Sequence, residues 1–341
     1  MACVGAVVTP TAVVPTPTAA VAVPTQTAVA VPTATAVVAA PSATLAAPSS
    51  TAIVVLSPVT AASPSPASIP LPGVRDLAAA PGGALFAIAG DQLYRIDGPQ
   101  PTPIGHPPAG RLLALDADRL VVGEMPACAR GGGAPLRWSG SAGIGWRDAD
   151  VGGGRSVEAT PWLVRGGDVY ALACAGVLVS SDGGRTYRVA LHIPDYDPVA
   201  FALSADGATA YLAAVSEGGT LRVVRSEKRG ADWSAPTTID TGQGRAALAL
   251  ADDRLALATA QGVKLSRDRG GTWSAPSGPA DATALAFRDA TLYAATPRGV
   301  LASANNGAWT QLNGARASRL VSTARGVYAI TPEGAVALTS S

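Results

Sequence analysis

No charged residue occurs before Arg75. All 25 Lys and Arg, all 24 Asp and Glu, all 16 aromatic residues and 36 of the 38 glycines follow residue 74. The first 74 residues are mostly Ala, Val and Thr with 12 of the 28 prolines, so they offer little area to bury and interrupt any helix or ladder. A core is therefore not expected there. No run of about 18 residues in this stretch escapes a proline, so no transmembrane helix is expected either. Cysteine is scarce: Cys3, Cys128 and Cys174 are too few for a disulfide scaffold and are not spaced as a zinc site. The only histidines, His106 and His192, sit in Pro-rich loop sequence and offer no base for a thiol nucleophile. Neither a metal nor a cofactor is expected. A net charge of +1 and a pI near 7.7 lack the basic excess of a nucleic-acid binder. Lysine is nearly absent, 2 against 23 arginines, which fits a GC-rich genome and lowers the weight of any single arginine.

What is present divides the chain in two. Residues 1–67 read as a disordered, PPII-like Pro/Thr/Ala/Val-rich stalk. Its start, Met1-Ala2-Cys3-Val4-Gly5, has neither a basic n-region nor an uninterrupted apolar h-region. It resembles the end of a bacterial lipoprotein signal, in which a small residue precedes the cysteine that receives the lipid. The resemblance implies Cys3 as an anchored residue; the alternative is an ordinary N-terminal thiol. A lipid on a Thr/Pro-rich spacer would hold a folded domain away from a membrane surface, outside the cytoplasm.

Residues 68–341 contain a repeat. Ser180-Ser181-Asp182-Gly183-Gly184-Arg185-Thr186-Tyr187 recurs as Ser266-Arg267-Asp268-Arg269-Gly270-Gly271-Thr272-Trp273, both S-x-D-x-G-x-T-[WY]. Degenerate copies include Ser226, Gly230 and Trp233; Ser303, Asn305, Gly307 and Trp309; and Ser139 to Trp146. The serines at 139, 180, 226, 266 and 303 are 41, 46, 40 and 37 residues apart, the length of one four-stranded propeller blade. Chemically the motif suits a tight hairpin, in which Ser and Asp bind turn amides, Gly takes positive φ and the aromatic packs beneath. A period-2 apolar hairpin precedes each copy, with Tyr170, Tyr211, Tyr293 and Tyr328 at equivalent packing positions. Strand patterns at residues 77–97 and 319–338 bring the count to seven. The expected fold is an all-β, seven-bladed propeller with four-stranded antiparallel blades, the segment 68–72 supplying the last blade's outer strand.

The S-x-D-x-G-x-T-W repeat resembles the Asp-box, or BNR, repeat of sialidases, sortilin-type receptors and photosystem II assembly propellers. The resemblance implies a structural role for the box, away from the face where such families bind ligands. That face carries the inter-blade loops and those joining second to third strands. There Arg75, Arg111 and Arg245 are expected to open innermost strands, three guanidiniums suited to a carboxylate or sulfate. Sialidases hold their substrate with such a triad, and Val74-Arg75-Asp76-Leu77 occupies the place of their early Arg-Ile-Pro signature but departs from it at both following residues. Glu158 is the carboxylate near the opening and Tyr196 the one available tyrosine. Asp195-Tyr196-Asp197, flanked by prolines, reads as a loop able to take a cation or polar ligand. Blade alignment puts Cys128 and Cys174 on this same face in neighbouring blades, where a disulfide forms if the blade-two loop folds toward blade three.

The leading expectation is an extracytoplasmic, monomeric, non-catalytic binding or assembly module for a protein or glycan. The rival is a sialidase-like exo-glycosidase, which would need a complete Arg, Tyr, Glu and Asp constellation. The family resemblance adds a third reading, an assembly factor for a membrane complex.

Overall fold

The computed structural model describes Ile69 and residues 71–338, apart from 99, 126–127, 129–132, 175, 194–195, 205–206, 217, 228–231, 235–236, 240–246 and 324–325, all within one unit, Ala61–Ser341. The expectations for residues 1–67, Cys3 included, fall outside the described residues.

Seven antiparallel sheets succeed one another at residues 74–105, 111–148, 159–192, 196–239, 247–266, 284–313 and 319–338, each with its strands hydrogen-bonded in chain order. The first strand of each blade lies against the first strand of the next, and that of blade seven (Arg319–Thr323) against that of blade one (Val74–Ala79), which closes the ring. The fold is a seven-bladed β-propeller. Five sheets have four strands; in blade five the outer position is a single bridge, Val263 to Ser277.

The core is divided among the blade interfaces. Seven apolar clusters fill the seven contacts between neighbouring blades, from Leu112 and Phe86 between blades one and two to Leu77 and Tyr328 between seven and one. Second strands are covered on both faces, which is why they read as apolar runs such as Leu255-Ala256-Leu257-Ala258, every residue buried. Alanine alternates with larger residues because wedge-shaped interfaces narrow toward the axis. Tyr170, Tyr211, Tyr293 and Tyr328 are all at most 2% exposed.

At the outer edge of blade seven Ile69 bridges Ala335, its N–H donating to Ala335 O at 2.9 Å. Gly334 permits the approach: it has φ +141°, and a Cβ there would sit 3.0 Å from Leu71 O and 3.1 Å from Ile69 O. Removing residues 1–60 is therefore expected to leave the melting temperature unchanged, whereas removing 1–73 exposes that edge and lowers it. Equal melting temperatures in a thermal unfolding series would exclude a role for Ile69 in closure.

Candidate functional site

Two sets of residues carry polar chemistry: the hairpin turns on one face and the innermost strands at the channel mouth on the other.

In the turn of blade three, Ser180 Oγ donates to Asp182 Oδ1 (2.7 Å) and accepts from Gly184 N (2.9 Å). Asp182 in turn accepts from the Arg185 and Thr186 amides (3.0 and 2.9 Å) and the Thr186 hydroxyl (2.7 Å). Burial pushes Asp182 up, but these donors outweigh it and hold its pKa below the usual value. Blade five repeats the network: Ser266 Oγ to Asp268 Oδ1 at 2.8 Å, Gly270 N to Ser266 Oγ at 2.7 Å, and the Thr272 amide and hydroxyl to Asp268 at 2.9 and 2.7 Å. Gly184 and Gly270 take φ of +87° and +84°, the conformation this turn requires. Tyr187 is buried, and burial first, then the Asp182 charge, pushes its phenol up. Trp273 packs into the cluster between blades four and five. In the degenerate copies Ser226 bridges Trp233, while Ser303 Oγ donates to Gly307 O (2.8 Å) beside Asn305 (φ +51°) and half-buried Trp309; Gly230 falls outside the described residues.

The Thr272 amide, then its hydroxyl, and then Ser266 hold Asp268 down at about 2. A carboxylate depressed in the folded state contributes stability that is fully present above its unfolded value, about 3.9, and is lost as pH falls through about 2. Amide exchange at Thr272 is therefore expected to stay slow at pH 4 and to accelerate only near pH 2. Acceleration already at pH 4 would show that Asp268 does not organise the turn.

At the channel mouth the central group is Asp76, 4% exposed, on the first strand of blade one. Its Oδ1 accepts from Leu77 N (2.8 Å), and its Oδ2 accepts from Leu112 N in blade two (2.5 Å). Arg319, opening the first strand of blade seven, pairs with it across 243 positions. Burial pulls the Arg319 guanidinium down to about 10, so it stays charged at neutral pH. One carboxylate thus joins blades one, two and seven.

Arg111 opens the first strand of blade two (Arg111–Ala114), and its guanidinium lies 4.2 Å from the centre of the Trp162 ring on the first strand of blade three (Ala159–Arg165). Burial lowers it to about 10, and its Nε is buried with no hydrogen-bond partner among the described residues. Trp162 Nε1 donates to Phe201 O in blade four (2.6 Å). Arg222 lies 4.9 Å over the Tyr196 ring. This half of the mouth is a chain of cations and aromatic faces running from blade two to blade four.

These placements revise several sequence expectations. Arg75 is the exposed residue of a bulge, between Val74 and Asp76, and Arg245 lies outside the described residues. Arg111 is turned onto Trp162. Glu158 is exposed and its backbone bridges Pro135, in the third strand of blade two, so it stands off the innermost ring. Asp195 lies outside the described residues, but Tyr196 and Asp197 are not a loop: they begin the eight-residue first strand of blade four, paired with Ser216 and Val215. The flanking Pro198 sits at a register shift in that strand, where its missing N–H is tolerated. The structure joins Cys128 to Cys174 by a disulfide with Cα atoms 5.5 Å apart. Beside it, Met125 N donates to Thr160 Oγ1 (2.8 Å), so the blade-two loop is tied to blade three twice.

The comparisons with known proteins agree with this architecture. A β-propeller family model, described as "Beta-prop_HVO_0234:-like, beta propeller", matches residues 238–340. Among solved structures the chain is similar to YCF48 from Cyanidioschyzon merolae, at 12% identity and TM-score 0.55, with 80% of this chain and 97% of that one covered. It is also similar to the GH74 enzyme of Niastella koreensis (18% identity, TM-score 0.51, 79% and 52% covered). A third is PorZ of Porphyromonas gingivalis, described as an essential bacterial surface component of the type-IX secretion system (14%, TM-score 0.51, 81% and 39%). The chain spans about half the length of the GH74 enzyme and less of PorZ. At these identities the likeness establishes the fold. The comparison with curated protein sequences finds no match.

Sequence reasoning missed Asp76, Arg319, Trp162 and Arg222. Asp76 carried one signal, as the one buried-side acid in an otherwise apolar inner-strand pattern, Val74 to Ala79. Its partner carried none, because the two lie 243 positions apart in sequence.

Proposed function

We propose that this protein is a divergent Asp-box propeller displayed outside the cytoplasm, a non-catalytic binding or assembly module whose protein or glycan ligand engages the face bearing the inter-blade loops. The observation that carries the reading is the Cys128–Cys174 disulfide between blades two and three. Such a bond persists in an oxidising space, and here it pins a long loop of that face onto the neighbouring blade. A loop held in place before binding loses less freedom when a ligand arrives. The Ser-Asp turns of blades three and five support the Asp-box assignment, since their polar atoms are consumed by the turn itself. Residues 1–67 would serve as the stalk and Cys3 as a lipid anchor of a bacterial envelope protein. PorZ, a surface component with the same fold, is consistent with such a setting.

The channel-mouth groups favour binding over hydrolysis. Arg111 is engaged by Trp162, Asp76 by Arg319, and Glu158 stands apart from both. Purified protein is expected to give no turnover of fluorogenic sialosides or related acidic sugars. Hydrolysis that disappears in Arg75→Ala and Arg111→Ala variants would replace this reading with an exo-glycosidase.

A further inference from the structure

We propose that the cleft between blades four and five, on the hairpin face opposite the channel-mouth arginines, binds a neutral carbohydrate. A cavity of about 680 Å³ opens there, lined by Tyr211, Arg225, Glu227, Trp233 and Arg269 among others. A second hollow of about 480 Å³ shares Tyr211, Glu227 and Arg269 and extends to Asp253. The space is large enough for one or two sugar rings.

The cavity has a local cause in the repeat. The third-strand residue just before each motif serine faces the second strand: Trp138 opposite Val121 in blade two, and Arg225 opposite Tyr211 in blade four. Between blades two and three the indole of Trp138 fills the interface, flanked by the guanidiniums of Arg147 and Arg185 at 5.5 and 4.9 Å. The incoming turn is packed tightly there, since a Cβ on Gly184 would lie 2.6 Å from Val121 Cγ2. Between blades four and five a guanidinium replaces the indole and pairs with Glu227. The equivalent Gly270 has only ordinary contacts, a Cβ there lying 3.6 Å from Leu255 Cδ1 and 3.7 Å from Tyr211 Cε1.

Three features define the ligand. Tyr211 is 2% exposed and lines both hollows, yet its hydroxyl has no hydrogen-bond partner among the described residues. That hydroxyl is not among the fully buried polar atoms without a partner, so it meets the hollow itself and is placed to exchange a hydrogen bond with a ligand hydroxyl. Secondly, the cations are matched by carboxylates: Arg225 pairs with Glu227, and Arg269 Nε with Asp253 Oδ1 at 2.7 Å. Such a wall offers donors and acceptors side by side and no surplus positive charge, which disfavours an anion and suits hydroxyls that each donate and accept. Thirdly, the rings of Tyr211 and Trp233 supply apolar surface for the C–H face of a pyranose. Arg269 is held at φ +59°, where blade three has Gly183 at φ +78°. A side chain kept in that conformation, against its steric preference, is consistent with a use for its guanidinium.

Isothermal titration calorimetry of the full chain with cellobiose, lactose, maltose and N,N′-diacetylchitobiose tests the proposal, with 3′-sialyllactose as the anionic comparison. At least one neutral disaccharide is expected to saturate with a dissociation constant on the order of 1 mM. Tyr211→Phe should weaken it about tenfold without lowering the melting temperature, because the hydroxyl has no structural partner to lose. Arg269→Gly should also weaken binding while holding or raising the melting temperature. No saturation by any of the four up to about 20 mM, tighter binding of 3′-sialyllactose, or unchanged affinity in Tyr211→Phe would each overturn the proposal. So would a comparable loss in Arg111→Ala, which would assign the sugar to the channel face instead. The two faces are separate, so failure here leaves the proposed function standing.

Discussion

Asp76→Ala is expected to lower stability by about 3–5 kcal/mol, the cost of leaving a buried charge without its partner. Three losses coincide at this residue. The Leu77 and Leu112 amides lose their acceptor, and Arg319 is left desolvated and unpaired on blade seven. At roughly 2–4 °C per kcal/mol for a domain of this size, the melting temperature should fall by roughly 10 °C. The double variant Asp76→Ala, Arg319→Met separates the terms, because removing both charges eliminates the uncompensated cation. Its stability should lie well above that of Asp76→Ala. If the single and double variants melt together, the ion pair is not what joins the first and last blades. Thermal unfolding followed by circular dichroism decides between these outcomes.

Opening the Cys128–Cys174 bond is the second large effect. With the two cysteines 46 positions apart in sequence, the chain-entropy account gives about 4 kcal/mol of stabilisation. Cys128→Ser with Cys174→Ser should therefore lower the melting temperature by roughly 10 °C, and reduction of the native protein should do the same. Thiol titration of the unfolded, unreduced protein should find one reactive group, Cys3. Three reactive thiols in protein recovered from its native compartment would remove the disulfide and, with it, the main support for an extracytoplasmic location. Loss of the bond should act on the binding face as well, since it removes one of the two ties described between the blade-two loop and blade three and leaves Met125 N to Thr160 Oγ1.

The architecture was legible because it is written locally and repeatedly. Each motif, from Ser180 to Tyr187 or Ser266 to Trp273, closes its own hairpin through contacts within four residues, so the spacing of the serines reports the blade length directly. The apolar alternation of Leu255 to Ala258 likewise needs no distant partner to be recognised as a buried strand. Blade alignment could even place Cys128 and Cys174 on one face, because both follow second strands. The site was different. Which way Arg111 turns depends on Trp162, a residue of another blade, and the partner of Asp76 comes from the far end of the chain. The cleft between blades four and five lies where Arg225 stands at the position that Trp138 fills in blade two, a difference whose consequence appears only when neighbouring wedges are packed together. Local hydrogen bonding and period therefore determined the blades, while burial and charge pairing between blades, which ring closure brings about, decided what each polar side chain faces.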